Sequence, residues 1–144
     1  MRLTVAWVGK SKSPALRAAT DEYLARLGAF SRLATVTPWP LTVATAEAQL
    51  RRQAAGARLW LCDPAGRGFD SPAFARWLER EGGAGRELVL TLGGADGFSA
   101  ATRTQAAGAI SLSPLTFSHE LARVVLLEQL YRALAILSHH PYPH

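Results

Sequence analysis

Cysteine is almost missing from this chain: of 144 residues only Cys62 carries a thiol. That excludes a disulfide framework within the chain and any cysteine-based zinc cluster. Lysine is nearly as scarce, with Lys10 and Lys12 standing against fourteen arginines. Long uncharged apolar runs are absent too, so no transmembrane helix is expected, since a span needs about 20 such residues. The opening stretch Met1–Gly9 has a short apolar run but no small-residue cleavage site behind it. It reads as a first strand rather than a signal peptide, and a cytoplasmic protein is the expectation. No Gly-Lys-Ser/Thr loop, no G-x-G-x-x-G after the first strand, no G-x-S-x-G elbow and no paired-carboxylate signature occur. Nucleoside-triphosphate, nicotinamide and serine-hydrolase chemistry are thereby poorly supported.

What is present is the composition of a folded domain. Hydrophobic residues make up 49% and charged residues 19%, far from a disordered balance. A chain of this size buries about 70% of the surface its unfolded form exposes, enough for a core without metal or disulfides. The net charge of +5 favours a polyanionic partner over an acidic one. The Ala, Arg, Leu and Gly bias gives solvated arginines an equal claim on that charge.

Apolar runs alternate with helical patterns along the whole chain. Strands are expected at Leu3–Val8, Leu33–Thr37, Ala57–Cys62, Glu87–Leu92 and Ala109–Leu112. The second is expected to close at Pro38-Trp39-Pro40, and the third is too apolar to face water on either side. Helices are expected from Ser13-Pro14 to Gly28, from Ala44 to Ala55, from Asp70-Ser71-Pro72 to Gly82-Gly83, from about Ser99 to Ala107, and from Ser118 to Leu137. Such alternation predicts one α/β domain with a largely parallel sheet. The last helix is apolar almost all round, so it should be buried almost all round; the excess apolar surface predicts a homodimer. Glu128 and Arg132 stand at i, i+4 on it and either pair or, with Arg123, leave the arginines for a phosphate or base.

Ligands of open parallel sheets bind outside the carboxyl ends of the strands. Three loops leave such ends: Asp63–Gly68, Gly93–Gly97 and Ser113–Phe117. The last two offer backbone groups rather than bulky polar side chains, which suits the edge of an adenine or a ribose. Gly93-Gly94-Ala95-Asp96-Gly97 reads equally as a tight turn needing positive φ and as a ligand loop. Cys62 has no neighbouring His or Arg to activate it and reads as a core residue. His139, His140 and His144 crowd a tail without accompanying carboxylates or cysteine, so a loose tail is expected and a metal site is not.

The combination of Gly93-Gly94-Ala95-Asp96-Gly97, Ser111 to His119, Arg123-Val124, Glu128, Tyr131-Arg132-Ala133 and His140-Pro141-Tyr142 resembles the RlmH family of small bacterial SPOUT-class methyltransferases. The likeness covers nearly the whole chain, including Val8-Gly9-Lys10 and Glu22-Tyr23-Leu24. It implies a single-domain knotted SPOUT fold over residues 1–144, with a mostly parallel sheet flanked by helices and a C-terminal trefoil knot. It implies transfer of a methyl group from S-adenosylmethionine to N3 of a pseudouridine in 23S ribosomal RNA, on assembled ribosomes. It further implies a homodimer in which one chain's tail completes the partner's site, with no metal and no membrane. Cofactor contacts carried over by the resemblance fall on Cys62, Gly93, Leu112, Ser113, Pro114, Leu115, Thr116 and Phe117.

Removal of the N3 proton calls for a base or a cation. His119, Arg123, Arg132, His140 and Tyr142 are the candidates by type and place. His119 stands equally as a packing residue of the last helix. The tail departs from the family's usual His-Pro-Tyr-His-Arg, ending His140-Pro141-Tyr142-Pro143-His144, and the second-strand region is short. The alternatives are a SPOUT enzyme acting on another RNA and a non-catalytic RNA-binding dimer of the same fold.

Overall fold

The computed structural model describes residues 1–142; Pro143 and His144, where the tail departs from the family, lie outside the described residues. Five strands, β1 (Arg2–Val8), β2 (Thr35–Leu41), β3 (Arg58–Gly68), β4 (Leu88–Leu92) and β5 (Gly108–Ser111), form one sheet in the order β2-β1-β4-β3-β5. Every pairing is parallel. The helices are α1 (Pro14–Leu27), α2 (Ala46–Gln53), α3 (Ser71–Gly82), α4 (Ala100–Gln105) and α5 (His119–Leu137). Four of them start where a polar side chain takes up an orphan backbone donor. Ser13 accepts from Leu16 N–H, Asp70 from Ala73, Ser99 from Thr102 and Ser118 from Leu121.

The two-residue period of the strands sorts their side chains into two cores. Leu3, Val5, Trp7, Leu88, Leu90 and Leu92 face α1, α3 and α5. Ala6, Leu59, Leu61 and Val89 face the opposite way, onto Ala46, Leu50 and Ala54. Within the chain α5 lies against both α1 and α3, which buries Leu126, Leu127, Leu130, Ala133 and Leu134. Leu121 and Ile136 of the same helix stay 39% exposed. Much of its apolar surface therefore serves this chain's own core.

Two strands differ from expectation. β2 starts at Thr35 and runs through both prolines instead of stopping before them. It lies at the sheet edge, where Thr35 N–H donates to Met1 and Gly9 N–H donates to Leu41. The odd positions thus face β1, so the missing donors of Pro38 and Pro40 fall on the unpaired side. β3 continues past Cys62 to Gly68, so the expected loop is a bulged strand: Ile110 registers with both Cys62 and Arg67. Gly66 lies so close to β5 that a Cβ there would stand 2.7 Å from the Ala109 carbonyl carbon. On β3, Trp60 and Cys62 are only half-buried, so one of its sides is less enclosed than its composition predicts. A 3-10 turn, Val43–Thr45, precedes α2, which begins later than expected.

Candidate active site

The parallel sheet places the bulge of β3 beside the ends of β4 and β5, and a cavity of about 240 Å³ opens there. Cys62, Asp63 and Pro64 come from β3, Leu92 to Gly94 and Phe98 from the end of β4 and its loop. Leu112, Ser113, Leu115, Thr116 and Phe117 come from the β5–α5 connection, and His119 and Ala122 from the first turn of α5. Seven of the eight expected cofactor positions thus share one cavity; Pro114, exposed between Ser113 and Leu115, does not line it.

Main chain and apolar side chains form most of the wall, and neither Lys nor Arg is part of it. Its acidic group is Asp63, whose carboxylate accepts from Arg103 at 2.7 Å and from Ala65 N–H at 2.8 Å. The Arg103 bond, with the backbone N–H, holds it below the usual carboxylate range. Burial pushes the Cys62 thiol up to about 12, so it is a wall and not a nucleophile.

The β4 loop turns on Gly97, whose N–H donates to Gly94 and whose φ is +72°. Gly93 does not take a positive φ, contrary to expectation; a Cβ there would instead stand 3.1 Å from the Phe98 ring. Ser99 N–H and the Thr102 hydroxyl both donate to Glu47 on α2, which ties this loop to the neighbouring layer.

The five catalytic candidates separate into three places. His119 is exposed at the cavity rim. Arg123, one turn on, is only 2% exposed and lies over the Trp7 ring at 4.8 Å. It donates to Ser11 Oγ at 2.9 Å and to Val8 C=O at 3.4 Å. Arg132, His140 and Tyr142 gather at the far end of α5, about 20 Å along the helix from His119 at 1.5 Å per residue. Arg132 is bonded to Glu128 and lies over the Tyr142 ring at 4.6 Å. Tyr142 also packs on Tyr131 at 4.8 Å and meets the Tyr23 hydroxyl at 3.3 Å. His140 stands edge-on to Phe30. Through Tyr142 the tail is therefore packed, not loose as expected, because α1 and α5 supply it with an aromatic seat. Among the described residues no group of three His, Cys, Asp or Glu is placed to hold a metal, and no helix is long and apolar enough to cross a membrane.

A family model described as a predicted SPOUT methyltransferase matches residues 1–144. Proteins named ribosomal RNA large subunit methyltransferase H match along their full length. One from Sorangium cellulosum is 43% identical over 145 residues, covering all of both chains. One from Geotalea daltonii is 40% identical over 154 residues, again with complete coverage of both. This chain belongs to the RlmH family of SPOUT methyltransferases. A methyltransferase needs a methyl donor. Phe98 and Ala122 line the cavity without a sequence motif to announce them, whereas Asp63 stands in one of the three stretches expected at carboxyl strand ends.

Proposed function

We propose that this protein transfers a methyl group from S-adenosylmethionine to N3 of a pseudouridine in 23S ribosomal RNA on assembled ribosomes. It works in the cytoplasm as a homodimer of one-domain chains, residues 1–144, with the segment from β5 through α5 threaded as a trefoil knot. The observation that carries this reading is the single cavity where the Gly93 loop faces the Leu112–Phe117 loop. Its full-length relatives, named as large-subunit rRNA methyltransferases, support the substrate.

The bound donor supplies a methyl group already activated on a positive sulfur. The chain's own work is then to position, to exclude water and to take up a proton. Cys62, Gly93 and the 112–117 loop hold the donor through backbone groups and apolar contact. His119, at the rim, accepts the N3 proton as the new N–C bond forms. Arg123 lends buried positive charge to the acceptor as it loses that proton. Arg132, His140 and Tyr142 lie too far along α5 to serve the same chain's cavity, so in this reading they complete the partner's.

The test uses purified protein and ribosomes lacking the modification. Calorimetry should show binding of the demethylated donor product, and mass spectrometry of the rRNA should show one added methyl group on a pseudouridine. Absence of transfer in protein that binds the product would overturn the substrate assignment.

A further inference from the structure

A second cavity, of about 670 Å³, lies on the other side of the Gly94–Gly97 loop, at the carboxyl ends of β1 and β2. Its volume is that of a pocket for a small organic ligand, typically about 300–1,000 Å³. Gly94, Ala95, Gly97 and His119 line both cavities, so the two adjoin at one loop and one imidazole. We propose that this second cavity receives the acceptor nucleotide of the RNA, with the phosphate at Lys10 and Lys12 and the base at His119, where the two cavities adjoin. The inference rests on the methyl-donor assignment of the first cavity.

Three observations carry it. The first is adjacency. Methyl transfer is an in-line displacement, so donor and acceptor must occupy touching spaces, with reacting atoms about 3–3.5 Å apart. The second cavity adjoins the first at His119 and the Gly94–Gly97 loop and is large enough for a nucleotide turned out of its stack.

Charge is the second. The only two lysines of the chain, both exposed, line this cavity, and neither ammonium has a hydrogen-bond partner among the described residues. The carboxylates that line it are Glu47, Glu120 and Asp96. Glu47 is occupied by Ser99 N–H and Thr102, and Glu120 by the Lys12 and Ser13 N–H groups. Asp96 is exposed on the shared loop. The free cations therefore stand at the rim, where a phosphate would arrive, while two of the three anions are bonded into the frame.

The third is the rigidity of the wall. Arg123 and Glu120, both from the first turns of α5, grip Val8, Ser11, Lys12 and Ser13. The guanidinium is 2% exposed and its Nε is buried without a hydrogen-bond partner. Its charge is thus poorly screened beneath the cavity, where it stabilises a base that is losing its N3 proton. Through its bonds to Ser11 and Val8 it also holds the β1–α1 loop in place.

Steady-state methylation of unmodified ribosomes tests the assignment, with product calorimetry on every variant as the fold and donor control. In the double variant K10Q/K12Q the KM for ribosomes should rise about tenfold or more at moderate salt, with the log–log salt slope falling by about 1 per lost contact. Product affinity and kcat should stay within about twofold, because the phosphate contact is present in ground and transition states alike. Val43, 72% exposed on the rim, offers a surface site that does not touch the core. Val43→Glu should raise KM comparably by repelling the phosphate. Arg86→Gln, an exposed arginine at the amino end of β4, should leave KM unchanged. Unchanged KM and salt slope in both cavity variants would overturn the proposal. So would an equal loss in Arg86→Gln, which would mean general charge attraction, or a parallel loss of product affinity, which would place the lysines in the donor site. Wild-type protein that neither binds product nor methylates ribosomes would instead overturn the donor assignment, and with it this inference.

Discussion

At Gly93 the constraint is space: the atom that a larger residue would add stands 3.1 Å from Phe98, which lines the same cavity. Gly93→Val should therefore push Phe98 aside and reduce product binding by at least about tenfold, roughly 1.4 kcal/mol. Calorimetry beside a far-ultraviolet spectrum of folded protein checks it. Cys62, with its thiol pushed up to about 12, should resist iodoacetamide at pH 8 in the folded protein and react on unfolding, as intact mass would show. Glu47 offers a pH test. The Thr102 hydroxyl and Ser99 groups hold its carboxyl below the ordinary range. A carboxyl depressed in the folded state stabilises above its unfolded pKa, and that contribution is lost as pH falls through the folded one. Thr102→Val, at a site with 0% exposure, should thus destabilise at pH 7 and progressively less as acid protonates Glu47 in both proteins. A deficit that stayed constant down to pH 2 would show that packing alone was lost.

Helix ends were the most legible elements, because each is a local contract between one side chain and one backbone donor. Ser13, Asp70, Ser99 and Ser118 all cap as their sequence context predicts. Ser118→Ala should cost about 1 kcal/mol in urea denaturation. It should also weaken product binding, since the helix it starts carries His119 and Ala122 into the cavity wall. Strand ends were less legible, because what decides them lies in other strands. Pro38 and Pro40 read as a stop until β2 is known to be an edge, and Asp63–Gly68 reads as a loop until β5 is found pairing with its far end. The first cavity gathers the 93–97 and 113–117 loops, each a continuous stretch visible in the sequence, with Cys62 and Asp63 of β3. The second cavity was not legible, since it joins Lys10, Val43, Gly94 and Glu120 from four separate stretches. The tail misled because its aromatic seat is supplied by Tyr23 and Tyr131, far from it in sequence.

For the whole molecule, the exposed Leu121 and Ile136 on α5 and the distance between the two groups of candidates both bear on assembly. Sedimentation at micromolar concentration should give a dimer, and a stable monomer would refute it. Deleting residues 138–144 should abolish methylation while weakening product binding only modestly; full activity would return the catalytic role to His119 and Arg123. The strand order carries a consequence for synthesis. β1 and β3 do not touch; each pairs with β4, which is inserted between them and spans Leu88–Leu92. A nascent chain that has emerged only as far as Gly85 therefore holds β1 with β2 and leaves β3 without either neighbour. The helix that fills the core, α5, follows every strand in the chain. Folding must wait until α5 has left the exit tunnel, so chains truncated before it should be recognised by proteases, and the folded state should appear only once that helix is free.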